Sequence, residues 1–141
     1  MPHACKALII HCIDFRFAKA IKKYLEDQNL FGDIDIVSVA GAVKNIVEPK
    51  ERGHADFLMK QIDISKTLHD IKQVILMNHT DCGAYGGRTA FYSDEEELNK
   101  HLSDLKSAKM RILEKFPEFE IKSVLAIISP NKNITFEKLD N

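Results

Sequence analysis

The chain has 141 residues, 45% of them hydrophobic and 29% charged, which is the size and composition of one globular domain able to bury its own core. Its 20 basic and 21 acidic residues leave a formal net charge of -1, which excludes a global field drawing nucleic acid or an anionic membrane onto the surface. No apolar run approaches the ~18–20 residues that span a bilayer, and the opening M-P-H-A-C-K lacks the basic and apolar regions of a secretory signal; the expectation is a cytoplasmic protein with no nucleic-acid and no membrane partner.

In chain order, K-A-L-I-I-H-C-I (6–13) is short, apolar and rich in β-branched residues, and predicts a strand. Phe17, Ala20, Ile21, Tyr24 and Leu25 then recur at helical spacing over 17–28. D-I-D-I-V-S-V-A (33–40) predicts a second strand, and residues 41–53 form the longest irregular piece. Phe57, Leu58, Ile62, Leu68 and Ile71 share roughly one face of a helix over 54–71. V-I-L-M-N (74–78) is a third strand, 95–116 a long amphipathic helix, and K-S-V-L-A-I-I-S-P (122–130) a fourth strand, with a short edge strand available in N-K-N-I-T-F-E-K-L. Near-continuous apolar strands alternating with helices predict a single α/β domain over 1–141: a mainly parallel sheet of four to five strands, covered on both faces and wound by right-handed crossovers.

Three cysteines, an odd number, in a domain large enough to need no covalent staple argue for thiols used as ligands or as packing. The third strand runs into N-H-T-D-C-G-A-Y-G-G, which sets His79 and Cys82 three positions apart. In an open parallel sheet, ligands gather beyond the carboxyl ends of the strands, where successive crossovers diverge. The first strand ends in H-C-I-D-F-R, so if strands one and three are neighbours, Cys12 meets His79 and Cys82. Two thiolates and an imidazole suit Zn2+, and three protein ligands leave the fourth position of a catalytic site open. Asp14 and Arg16 lie two and four residues beyond Cys12 on the same edge.

Cys-x-Asp-x-Arg at the end of the first strand, with His-x-x-Cys-Gly at the end of the third, resembles the β-class carbonic anhydrases. The resemblance implies that Cys12, His79 and Cys82 hold zinc, that a hydroxide takes the fourth position, and that Asp14, paired to Arg16, hydrogen-bonds it. It further implies reversible hydration of carbon dioxide to bicarbonate, and assembly as a homodimer or a multiple of dimers. If Asp14 left Arg16 it would bind zinc itself and close the site, a state also found in the family; the sequence leaves both positions open.

The chain departs from the family pattern in Ile13 and Phe15, where C-S-D-S-R is common, and in V-S-V-A-G, where Ser38 and Val39 replace an Arg-Asn pair. Its opening strand at 6–13 leads to the expectation that it lacks the N-terminal helical arm of larger members. Two other readings follow: a hydrolase of carbonyl sulfide or carbon disulfide on the same site, favoured by the apolar Ile13 and Phe15, and a catalytically silent zinc-binding homologue, favoured by the altered second loop. A thiol redox protein is more distant, because Cys12 and Cys82 form no C-x-x-C pair.

Gly83 is assigned to substrate binding through its backbone, although Gly83, Gly86 and Gly87 also suit a tight turn. Cys5 reads as packing and His11 as a structural histidine facing away from Cys12. His3, His54, His69 and His101 read as surface or capping residues, and Asp94 to Glu97 after Ser93 as a helix start. Phe15, Phe17, Tyr85, Phe91 and Tyr92 read as core or dimer contacts.

Overall fold

The computed structural model describes residues 3–139. Five strands, β1 (Ala7–His11), β2 (Ile34–Ser38), β3 (Gln73–His79), β4 (Glu120–Ile128) and β5 (Ile134–Lys138), form one sheet in the order β2-β1-β3-β4-β5. The first four pair in parallel and β5 closes the edge antiparallel to β4. This is the expected α/β architecture, including the short last strand.

Four helices connect the strands: α1 (Ala18–Asp27), α2 (Lys44–Val47), α3 (Arg52–His69) and α4 (Asp94–Lys115). On one face of the sheet, Phe17, Ile21 and Leu25 of the α1 segment pack on Ile9, Ile75, Met77 and Val124. On the other, Ile46, Leu58, Ile62, Leu105, Ala108 and Ile112 from α2, α3 and α4 cover Leu8, Ile10, Val74 and Leu76. Successive residues of β1 and β3 thus feed opposite cores, which is why both strands are apolar throughout rather than alternating.

The chain goes from β1 outward to β2 over the first face, then returns across the second face to β3 on the far side of β1. The crossovers therefore diverge between β1 and β3, and the carboxyl ends of those two strands open side by side.

The predicted irregular stretch 41–53 is a correction. Ala42, Val43 and Ile46 are at most 1% exposed, and burying them draws the segment into the short helix α2. Val43 N donates to Asn78 Oδ1 (3.3 Å), and Asn45 Nδ2 donates to the Ala40 and Ala42 carbonyls. A second correction is His101, read as surface or capping: it is 0% exposed, inside α4. No partner stands at a telling spacing from it in the sequence, but the Asn78 amide and the Tyr85 ring, the first distant in sequence, supply it with an interior partner and a packing surface.

Candidate metal centre

Cys12 follows β1 directly, His79 ends β3, and Cys82 follows after a turn at Thr80 and Asp81. Thr80 locks that turn to β4: its amide donates to the Ala126 carbonyl (2.9 Å), and its Oγ1 accepts from Ile128 N (3.0 Å). One donor atom from each of Cys12, His79 and Cys82 lies within 4.8 Å of the others, and all three residues are buried. The convergence expected of strands one and three is thus present.

The geometry permits a test of whether a cation fits. The sulfurs of Cys12 and Cys82 are 4.0 Å apart, unbonded, close to the roughly 3.8 Å that two sulfurs take when each sits about 2.3 Å from one tetrahedral zinc. His79 Nδ1 donates to the Thr80 carbonyl (2.6 Å), which fixes the tautomer with its lone pair on Nε2. That Nε2 is buried and has no hydrogen-bond partner among the described residues. A buried, unsatisfied acceptor costs on the order of 1–3 kcal/mol unless something fills its lone pair. The hydrogen bond between the thiols pulls Cys12 down from the ordinary thiol range and pushes Cys82 up, so the sulfurs contend over one proton. A cation there would displace that proton and satisfy Nε2. The residues fit.

The Arg16 guanidinium grips Asp14 side-on: Nη2 donates to Oδ2 (2.7 Å), Nε donates to Oδ1 (3.1 Å), and the Arg16 amide also donates to Oδ1 (3.0 Å). This holds the Asp14 carboxyl below its ordinary range. Oδ2 of Asp14, besides accepting from Arg16, lies 3.7 Å from His79 Nε2, beside the candidate donors. The pair expected from the sequence therefore forms, with the carboxylate beside the three donors.

Sequence reasoning missed three participants. Asp81 Oδ2 accepts from Arg16 Nη1 (3.1 Å) and its carbonyl accepts from Nη2 (2.9 Å), so Arg16 is fixed from both sides. Its place between His79 and Cys82 in the H-T-D-C motif was the available signal. Glu97, 2% exposed, accepts from the Asp81 amide through Oε2 (2.7 Å); within an acidic run at a helix start, nothing distinguished it. Gly41 donates its amide to Cys12 Sγ (3.4 Å). It lies just beyond the carboxyl end of β2, the third strand end at this edge, which the sequence reading had noted only for its lost polar pair.

An open pocket of about 700 Å³ lies in front of the three donors, bordered by Ile13, Phe15, Ala40, Gly83 and Ala84 together with Asp14 and Arg16. A Cβ added at Gly83 would meet nothing within 4 Å, so its backbone lies open to this space. Gly86 and Gly87, with φ of +90° and +78°, carry the turn itself. Phe17 is buried with its ring against His79 (centroids 4.2 Å apart) and Tyr85 is buried, whereas Phe15 and Tyr92 are exposed. His11 Nδ1 lies 2.8 Å from the Cys12 carbonyl rather than from a side chain of the candidate centre.

A family model described as "Putative carbonic anhydrase" matches residues 2–133. The chain is 34% identical over 121 residues to an uncharacterized protein of Rickettsia bellii (strain RML369-C), a match covering 84% of this chain and 74% of that one. It is 31% identical over 121 residues to an uncharacterized protein of Rickettsia conorii (strain ATCC VR-613 / Malish 7), covering 84% of this chain and 65% of the relative, so it spans about two thirds of that relative's length. Among solved structures it resembles a carbonic anhydrase from Streptococcus mutans (TM-score 0.62, 16% identity, 99% of this chain and 86% of that one). It also resembles a tetrameric β-carbonic anhydrase from the filamentous ascomycete Sordaria macrospora (TM-score 0.66, 16% identity, 99% and 82%). At such identities these likenesses establish the fold.

Proposed function

The chain belongs to the carbonic anhydrase family described by that model and has the β-class fold, and from this premise we propose that it catalyses the reversible hydration of carbon dioxide to bicarbonate with Zn2+ held by Cys12, His79 and Cys82. The observation that supports this most directly is the buried, unpartnered Nε2 of His79, within 4.8 Å of two thiols whose sulfurs lie 4.0 Å apart. When bound, zinc would supply Lewis acidity and lower the pKa of coordinated water.

The chain's own residues supply the rest. Asp14, kept ionised by Arg16, can only accept a hydrogen bond, so Oδ2 would admit a hydroxyl-bearing group beside the ligands and orient its proton away from the reacting lone pair. Asp81 holds the other edge of Arg16, which keeps the guanidinium against Asp14. Ile13, Phe15, Ala40 and Ala84 give the pocket an apolar rim suited to a small uncharged substrate, and the open backbone at Gly83 is the proposed seat for the anionic product. We place the enzyme in the cytoplasm, as a homodimer or a multiple of dimers, as the sequence composition and the tetrameric neighbour suggest. No helix among the described residues is long and apolar enough to cross a membrane.

Stopped-flow measurement of carbon dioxide hydration tests the reading. Zinc-loaded protein should accelerate hydration above buffer, and His79→Ala should abolish the acceleration together with bound zinc. A zinc-loaded wild type that is inert from neutral to alkaline pH would defeat it. A second reading, hydrolysis of carbonyl sulfide or carbon disulfide, is favoured by the exposure of Ile13 (62%) and Phe15 (85%) at the pocket rim. Sulfide release from either compound would separate that activity from a silent zinc-binding homologue.

A further inference from the structure

A second cluster of donors lies at the opposite end of the sheet. Cys5 lies two residues before β1, Asp35 is near the start of β2, and His69 ends α3. One donor atom of each lies within 4.8 Å of the others, and all three residues are half-buried. The backbone holds them in register: Cys5 N donates to the His69 carbonyl (3.0 Å), and Asp35 pairs with Leu8 across β1 and β2.

We propose that Cys5, Asp35 and His69 form a second metal site, built for Zn2+ or a divalent cation of similar preference, separate from the centre at Cys12. A thiol, an imidazole and a carboxylate are the three zinc ligand types of proteins, and three protein ligands suffice to hold the ion with a fourth position left for solvent. Ser65, 4% exposed, donates its hydroxyl to Asp35 Oδ2 (2.6 Å) and so fixes the carboxylate's orientation, as groups behind metal ligands commonly do. A surface hollow of about 240 Å³ borders Asp35, Ser65 and His69, so two of the three donors are reached from solvent.

Two simpler readings fit less well. A His-Asp pair, with His69 Nδ1 2.6 Å from Asp35 Oδ2, requires no thiol, yet Cys5 points into the same group, with only a 3.5 Å contact to the Ala7 carbonyl and an interaction with the Asp35 carboxylate. A nucleophilic Cys-His-Asp triad would set the sulfur against the imidazole with the carboxylate behind it. Here the carboxylate contacts both, and burial together with Asp35 holds the Cys5 thiol above the ordinary thiol range, the opposite of an activated nucleophile; a cation taking the place of the thiol proton would bind sulfur and carboxylate together. Such an ion would tie β1, β2 and α3 together at the end of the sheet remote from the pocket, which is a structural role.

Zinc content of the full chain, measured by elemental analysis after loading and removal of excess ion, tests this apart from the proposed activity. Wild type should hold about two zinc ions, and Cys12→Ser/Cys82→Ser, which removes two donors of the first centre, about one. Adding Cys5→Ser or, separately, His69→Gln to that double variant should remove the remaining ion, with far-ultraviolet circular dichroism confirming that each protein is folded. In parallel, cobalt-loaded Cys12→Ser/Cys82→Ser should show a thiolate-to-cobalt absorption band, since Cys5 is then its one cysteine. Absence of that band, or a second zinc ion that survives both Cys5→Ser and His69→Gln, would overturn the proposal.

Discussion

In the proposed reaction Asp14 serves only while Arg16 keeps it charged and turned toward Cys12, His79 and Cys82. Asp14→Asn keeps its size but replaces an obligate acceptor with a side chain that also donates. Zinc-loaded Asp14→Asn should retain its ion by elemental analysis yet hydrate carbon dioxide at least about tenfold more slowly. Arg16→Ala should also lower activity, by releasing a carboxylate that already lies 3.7 Å from His79 Nε2 to compete for the open position. His101 carries a different prediction. Burial, aided by His79 and Lys100 and opposed by Asp104, lowers its pKa to about 4, whereas the unfolded chain protonates it near 6.5. Between those values the unfolded state binds more protons, so stability is complete above about pH 6.5 and is lost as pH falls toward 4, by something on the order of 3 kcal/mol. The carboxylates of Asp14, Asp35 and Asp81, all depressed, withdraw their own contributions at still lower pH. Urea midpoints between pH 4 and 7 should therefore slope upward in wild type and flatten in His101→Gln; an unchanged slope would remove His101 as the cause.

Element ends, rather than element interiors, assemble the pocket. α4 starts at a Ser93 cap, whose Oγ accepts from Glu96 N (3.1 Å), and that first turn sends Glu97 back to the Asp81 amide. Asp81 sits in the left-handed region (φ +55°), which its own carboxylate supports by accepting from Arg88 N (2.8 Å). Glu97→Ala should leave a half-buried amide unpaired and cost about 1–3 kcal/mol in denaturant unfolding. The end of β2 contributes Gly41, where φ is +82° and an added Cβ would stand 2.9 Å from the Ala84 Cβ. Gly41→Ala combines that strain with a displaced amide at Cys12 Sγ. It should lower stability by about 1–3 kcal/mol and speed zinc loss to a chelator, while Gly83→Ala, with nothing within 4 Å of the new methyl, should leave stability unchanged.

For the molecule as a whole, the pocket borders an exposed apolar rim: Phe15 is 85% and Ile13 62% exposed on the loop that carries Asp14. Single exposed apolar residues are ordinary, but two beside the opening of a proposed active site suit burial against a second copy about a two-fold axis. Light scattering should report a dimer or a multiple of dimers, and Phe15→Glu should shift it toward monomer. A strictly monomeric, zinc-loaded wild type at micromolar concentration would exclude assembly through this rim.

Periodicity and local chemistry alone determined the strand and helix order, the doubly covered parallel sheet, and the placing of Cys12, Asp14, Arg16, His79 and Cys82 at two strand ends. Those features were legible because a buried parallel strand must be apolar on both faces, and because motif residues lie within a few positions of the strands that carry them. Tertiary structure decided whatever depended on segments distant in sequence. It turned the irregular stretch after β2 into α2 once Ala42, Val43 and Ile46 found the core, and it buried His101 where Asn78 and Tyr85 could receive it. It also joined Glu97 to Asp81 and brought Cys5, Asp35 and His69 to one point. No short-range pattern encodes such meetings, because each partner on its own is compatible with solvent, and only the crossovers of the sheet bring them within bonding distance.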